Sequence, residues 1–434
     1  MQLTGQKLRM RKTLPRSNPW RVLTLLALIA GVLFYLRQLQ TGAVESPFAP
    51  TPLPTPPPAN LAREGNVHFA SGRLEEAIQS YRQATAHDST NAKYWIALSR
   101  IQVYSSTALT TDQQRRDRLS DALASARKAV EVDPGGSNSH AVLALALDWS
   151  ATTGGPERDR LLNEAQEAAV RALQLIPGNP LASAYYAEIL VDQQKWSQAI
   201  DVARQAATAD PSLMDVHRVY GYVLESNGFY QQAIEEYRRA LGVNPNLGFI
   251  YILIGANYRR ILDVDAAIEN FQKAASLNPK DKVPLLAIAK TYYQLGEYRT
   301  AAEYIQTALE LDPTDPDVYG RLGLIYYNNR NYEGSIIELS CAVKGCLHPD
   351  TGATVAGLPL TPSSLEYYYT FASALAGLDD PGNAETKDYC QQATPLFDEL
   401  RAFAPGDATV MAIVDEGITI CNSVAPDSVP SATP

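Results

Sequence analysis

Four cysteines near the C-terminal end, Cys341, Cys346, Cys390 and Cys421, are the residues with the most chemistry to offer. In an oxidising compartment an even set of thiols forms disulfides, and four allow three connectivities. Cys390 and Cys421 each lie about fifteen residues from the centre of a break at 404–407. If that break is the turn between two antiparallel helices, the two thiols face one another. A Cys390–Cys421 bridge is therefore expected, with Cys341–Cys346 as the second pair. The rival is a metal site using Cys341, Cys346, His348 and Asp350, but Cys-x4-Cys-x-His is a poor match to structural zinc spacings.

Other reactive constellations are missing from the sequence. It has no phosphate-cradling glycine loop, no G-x-S-x-G elbow and no H-E-x-x-H. His68, His87, His140, His217 and His348 are scattered, and Glu75-Glu76 and Glu235-Glu236 stand where helices start, which suits the helix dipole. No catalytic residue, cofactor or metal is expected, and the chain reads as a non-enzyme.

The elements that carry these residues divide by charge. Residues 1–40 hold seven cations (Lys7, Arg9, Arg11, Lys12, Arg16, Arg21, Arg37) and no acid, so the remainder of a chain of net charge −10 carries −17. That acidity argues against nucleic acid as a partner, which demands clustered basic surface. After a basic leader, 1–21, residues 22–39 read as a transmembrane signal-anchor, although the uncharged core Val22–Leu36 spans only about 22 Å of a bilayer's ~30 Å. A removed signal peptide has the same build. Arg37-Gln38 is unlike a cleavage region, with Thr41-Gly42-Ala43 as a weak alternative site. Six cations precede the apolar run and one follows it, which predicts a cytoplasmic N-terminus and an extracytoplasmic remainder. Residues 40–59 form a Pro-rich spacer, with seven prolines between Ser46 and Pro58, where neither helix nor central strand can form.

From residue 60 the chain repeats itself. Pro177, Pro211, Pro245, Pro279 and Pro313 are each separated by 34 residues, and Pro134 precedes the first by 43. Five positions before the proline, or before Ser89 in the first unit and Leu347 in the eighth, stands alanine in all eight units (Ala84, Ala129, Ala172, Ala206, Ala240, Ala274, Ala308, Ala342). Twelve positions before it stand Ala77, Ala122, Ala165, Ala199, Ala233, Ala267, Ala301 and Ser335. A third column is also small: Gly65, Ser99, Ala144, Ala187, Gly221, Gly255, Ala289 and Gly323. Small columns within apolar i, i+3, i+4, i+7 patterns predict two closely crossing amphipathic helices per unit. Gly72, Gly228 and Gly296 mark the turn inside a unit, and Asp-Pro or Asn-Pro ends its second helix.

These columns resemble the tetratricopeptide repeat family over residues 60–347, about eight units, with Gly221-x2-Leu224…Ala233-x3-Tyr237-x2-Ala240…Pro245 carrying most of the signature. The resemblance implies an all-α, right-handed superhelical solenoid whose first helices line a concave groove for a partner protein or peptide. It implies that the groove is faced by Tyr222, Phe249, Ile252, Arg259, Val283, Leu286, Lys290, Tyr293, Tyr327 and Asn328, and also by Asp215 and Arg218. Phe249, Ile252, Val283 and Leu286 are expected to form a continuous apolar strip rimmed by Arg259, Lys290 and tyrosines. Either it receives an acidic peptide or these side chains pack on each other across a tight superhelix. Family members that clamp a C-terminal carboxylate use a Lys and Asn pair, whereas Arg218, Tyr222, Leu253 and Ala256 stand at those places.

Units two and three carry insertions near Tyr104–Arg116 and Trp149–Arg160, read either as a joint ridge or as plain helix extensions. Residues 348–422 form a degenerate ninth pair (Leu365–Leu375, Ala384–Phe403) and a capping helix, Ala408–Asn422, with Met411, Ile413, Val414, Ile418 and Ile420 as its apolar side. A tail, 423–434, is expected to be disordered. The whole reads as a membrane-tethered, extracytoplasmic scaffold that binds a protein or peptide. The alternative is an accessory subunit of an envelope polysaccharide synthesis or export enzyme, with Tyr222, Tyr293 and Tyr327 stacking sugars. Self-association through open repeat ends is a further possibility.

Overall fold

The structure is a computed structural model that describes residues 18–41, 56–347, 352–380, 382–383, 385–386 and 388–424. Most of the leader, most of the spacer, all of the tail but its first two residues, and His348 and Asp350 lie outside the described residues. Two units are present, 1–56 and 57–434.

The first contains helix α1 (Pro19–Gln40), capped by the Asn18 side chain. Its 22 residues extend about 33 Å, longer than the uncharged core alone, because Trp20, Arg21 and Arg37 to Gln40 continue the helix at both ends. Its isoleucine, its valines and every leucine but half-buried Leu39 are exposed, and it is long and apolar enough to cross a membrane.

The second unit is a stack of helix pairs. They are α2 (Pro58–Ala70) with α3 (Leu74–His87), α4 (Ala92–Ser105) with α5 (Asp112–Val132), and α6 (Ser137–Thr152) with α7 (Arg158–Leu175). Next come α8 (Pro180–Asp192) with α9 (Trp196–Ala209), α10 (Met214–Ser226) with α11 (Tyr230–Val243), and α12 (Gly248–Arg260) with α13 (Val264–Leu277). The last regular pairs are α14 (Val283–Gln294) with α15 (Tyr298–Leu311) and α16 (Pro316–Asn328) with α17 (Tyr332–Lys344). A two-stranded antiparallel ribbon follows, β1 (Cys346–Leu347) on β2 (Thr354–Val355), and then α18 (Leu365–Leu378), α19 (Tyr389–Phe403) and α20 (Ala408–Val424).

The small columns are the seams of this stack. Both alanine columns and Ser335 are buried throughout. In the third column an added Cβ would come within 2.6 Å of Tyr81 at Gly65, 2.7 Å of Tyr237 at Gly221 and 2.5 Å of Phe271 at Gly255. A ring of the second helix thus occupies the place that a larger residue of the first would need. The residues that end the second helices, Asp133, Ile176, Asp210, Asn244, Asn278 and Asp312, are extended, with φ between −132 and −147°. Proline demands that of its predecessor. Inside the units, the left-handed turn position recurs every 34 residues at Gln194, Gly228, Leu262, Gly296 and Arg330, with φ between 61 and 80°. Only two of the five are glycines.

The superhelix is tight enough to touch itself. Asn246 Nδ2 donates to the Ala70 carbonyl at 3.0 Å, and a Cβ on Gly72 would lie 2.0 Å from the Asn246 carbonyl oxygen. The first pair therefore closes onto the start of the sixth. The unit-two insertion forms no ridge at the edge. The segment after α4 runs into the interior, Ser106 and Thr110 are buried, and the Thr110 hydroxyl donates to Asp315 at the start of α16. The unit-three insertion lengthens α6 by about a turn, Ser150 to Thr152, past the point where α10 and α12 end, and leaves the loop around Gly154-Gly155 exposed.

At the C-terminal end, α20 packs on α18 and α19. Its buried side is Val410, Val414 and Gly417, with Ile418 and Ile420 packed beside them, whereas Met411 and Ile413 sit at its margins. Cys390 and Cys421 are paired with Cα atoms 5.4 Å apart, and Cys341 is paired with Cys346 beside the ribbon. Among the described residues no group of His, Cys, Asp and Glu could hold a metal.

Candidate binding site

The first helices α4 to α16 line the concave face, and a buried polar network joins its N-terminal half. Asp215 on α10 accepts hydrogen bonds from Tyr104, from Tyr185 at 2.7 Å and from Arg100 at 3.1 Å. Burial alone would raise its pKa, but Arg100 and the two phenols outweigh it and hold the carboxyl below the usual range. Arg218, one turn further along α10, forks onto Glu188 with bonds of 2.9 and 2.5 Å and lies over the rings of Tyr104 and Trp149. Neither Asp215 nor Arg218 is free to meet a partner; both hold repeats together. The expectation for these two was an open groove position, and the inserted segment covers them.

Phe249 is buried because Tyr104 stacks on it, with ring centroids 5.2 Å apart. It lines, with Tyr222, Ile252, Asp148, Glu188, Asp192 and Thr107, a cavity of about 250 Å³. The Tyr222 hydroxyl donates to Asp192 at 2.8 Å. Burial, with Glu188 nearby, pushes the Asp192 carboxyl up to about 6 against the bond from Tyr222.

A second cavity of about 250 Å³ lies further along, lined by Leu286, Lys290, Tyr293, Arg321, Glu366 and Tyr367. The expected apolar strip is therefore divided: Phe249 and Ile252 belong to one cavity, Leu286 to another, and half-buried Val283 lines neither. Around the second cavity the charge is positive. Arg259 donates to the Ala287 carbonyl at 3.3 Å and reaches Thr291, but neither it nor Lys290 has a carboxylate partner among the described residues. Burial lowers the Lys290 pKa, and Arg259, Arg321 and Arg260 lower it further, with Glu366 opposing. Burial and Arg260 likewise lower that of Arg259. Burial first and the neighbouring cations second thus disfavour the charged form of Lys290, and an anion beside it would oppose both.

Tyr327 sits apart from both. With Tyr332, Tyr369, Ile413, Glu416 and Ile420 it lines a cavity of about 450 Å³ under the capping helix. Asn328 is exposed and donates to the Tyr293 hydroxyl at 2.8 Å. Asp148, Arg100 and Thr110 were not among the residues expected here, since their neighbours come from repeats 30 to 200 positions away. The repeat register was a signal for two of them, since Arg100 and Asp148 stand where Tyr222 and Arg259 stand in their units; for Thr110 the insertion was the one signal.

Consecutive helix pairs stacked about small-residue seams, with a concave face built from first helices, define an α-solenoid of interaction type. Family profiles described as tetratricopeptide repeat match residues 219–247, 263–319 and 304–336, and one described as TPR repeat matches 65–99. The chain belongs to the tetratricopeptide repeat family. No curated protein matches it. Among solved structures, the human IFIT1 dimer with PPP-AAAA is 17% identical, covers 84% of this chain and 89% of its own, and has a TM-score of 0.51. Yeast Tom70 is 14% identical, covers 85% and 88%, and has a TM-score of 0.48. The first shares the helical-repeat fold. Repeats of this family serve as protein-interaction scaffolds, and that coarse role applies here.

Proposed function

We propose that this chain is a membrane-tethered, non-enzymatic scaffold that holds an acidic protein segment against the C-terminal half of its concave face, outside the cytoplasm. The observation that carries the reading is the crowding of Arg259 and Lys290, without carboxylate partners among the described residues, beside the apolar floor of Leu286. The N-terminal half is already occupied by the segment after α4, so a partner is directed to repeats six to nine. Helix α1 supplies the tether, the excess of cations before it supports a cytoplasmic N-terminus, and two disulfides suit an oxidising space. Tyr222, Tyr293 and Tyr327 stand in three separate cavities, which favours a protein segment over a stacked sugar chain.

The test is affinity capture from detergent-solubilised membranes with the wild-type full chain, a Lys290→Glu variant and a Lys273→Glu control on the exposed side of α13. The proposal expects a protein recovered by wild type and control and lost by Lys290→Glu. Equal recovery by all three would sink the groove reading. A reporter fused after Pro434 that is active in the cytoplasm would overturn the topology.

A further inference from the structure

The cavity between α6, α8, α10 and α12 contains an acid that the fold leaves without a partner. Asp148 is 1% exposed, lines this cavity, and neither of its carboxylate oxygens has a hydrogen-bond partner. A buried polar group without a partner is costly, and a buried charge more so. The groups facing it are Asp192 and Glu188 on α8, Arg218 on α10 and Arg158 on α7. Both oxygens of Glu188 are already engaged, by Arg218 and by the Trp149 indole N–H at 3.0 Å. Arg158 donates instead to the Asp192 backbone carbonyl at 3.2 Å. What is left for a ligand is both oxygens of Asp148 and the oxygen of Asp192 that Tyr222 does not use.

We infer that this cavity is a binding site for an alkylammonium group, the side chain of an inserted lysine or a free aliphatic amine. Three unused acceptors match the three N–H donors of an ammonium. Trp149 and Tyr222 line the same cavity, and Phe249, Ile252 and Leu253 offer an apolar wall to the methylene stem of such a group. The volume, about 250 Å³, falls just below the roughly 300–1,000 Å³ of sites for drug-sized ligands, as suits one side chain. A metal fits less well, since no three ligating groups come together among the described residues. This site is opposite in sign to the Arg259–Lys290 surface and does not depend on it.

Burial and the neighbouring acids raise the Asp148 pKa well above the carboxylate range, so an arriving ammonium displaces a proton. The experiment is calorimetric titration of the full chain in detergent with N-acetyl-lysine N-methylamide, cadaverine and, as the uncharged control, N-acetyl-norleucine N-methylamide. Saturable binding of one or both amines and none of the norleucine compound is expected, with a heat that changes with buffer ionisation enthalpy at pH 6. Preference for the lysine amide identifies a partner's side chain, and preference for cadaverine a free amine. Asp148→Asn is expected to weaken binding at least tenfold and to abolish proton release, and Asp192→Asn to weaken it several-fold. No saturable amine binding to the wild type, or equal affinity in Asp148→Asn, would overturn the assignment and leave Asp148 a protonated structural group.

Discussion

Tyr104 and Asp215 lie 111 positions apart and share a hydrogen bond in the fully buried interior, which ties the second repeat to the fifth. Asp215 also holds Arg100 and Tyr185, so its loss strands three polar groups at once. Asp215→Ala is expected to destabilise the N-terminal repeats by about 3–5 kcal/mol, the usual cost of removing one partner of a buried ion pair. Because a solenoid is stabilised by neighbours, the damage is local. Hydrogen exchange of α2 to α5 should accelerate while α18 to α20 keep their protection. Uniform acceleration would mean that the stack unfolds as one unit.

Asp215 and Asp148 give opposite responses to pH. The depressed pKa of Asp215 contributes stability that is present above its unfolded pKa of about 4 and lost as pH falls through the lower folded value. Asp148, raised by burial first and then by Asp192 and Glu188, works the other way: the unfolded chain ionises above roughly pH 4 while the native group stays protonated. Asp148→Asn is thus expected to be more stable than wild type at pH 7 without amine, with the difference shrinking toward pH 4. Thermal melts at both pH values check this, and a gap that does not vary with pH contradicts it.

The left-handed turn position is legible by its spacing and hidden by its residue types. Leu262 adopts φ 64° and its side chain is 84% exposed, so it has strain and almost no packing to lose. Leu262→Gly should stabilise by about 1 kcal/mol. Gly72→Ala should cost more than Gly228→Ala, because both meet the unfavourable φ but only the first drives a methyl into the Asn246 carbonyl. Denaturant unfolding of the three variants tests the order, and equal costs for the two glycines would mean that the first and sixth repeats do not meet.

How much of this was written in the sequence follows from the distance over which each interaction acts. The alanine and glycine columns were readable because their partners lie within one unit, as Gly65 and Tyr81 do. The contact of Thr110 with Asp315 was not, since it depends on how many repeats complete a superhelical turn, a sum of small rotations that no single residue encodes. The same holds for Phe249. Its groove position follows from the repeat, and its burial follows from Tyr104, four units earlier. Asp148 stands where Arg259, Tyr293 and Tyr327 stand in their units, so its place on the groove face follows from the repeat; that its carboxylate is buried without a partner depends on α8 and α10, which its own unit does not encode.

The Cys390–Cys421 pair joins α19 to α20, and α20 covers the apolar face of α18 that a next repeat would otherwise cover. A link across a separation of 31 residues contributes about 3–4 kcal/mol on the chain-entropy argument, against about 2 for the five-residue separation of Cys341 and Cys346. Cys390→Ser with Cys421→Ser should therefore free α20 first. Its amides are expected to exchange faster and Phe397, which packs against Gly417, to become reachable by protease, while α14 to α16 stay protected. Cys341→Ser with Cys346→Ser should leave the capping helix as it was. If both double variants loosen α20 equally, the bridge at Cys390 is not what holds the cap.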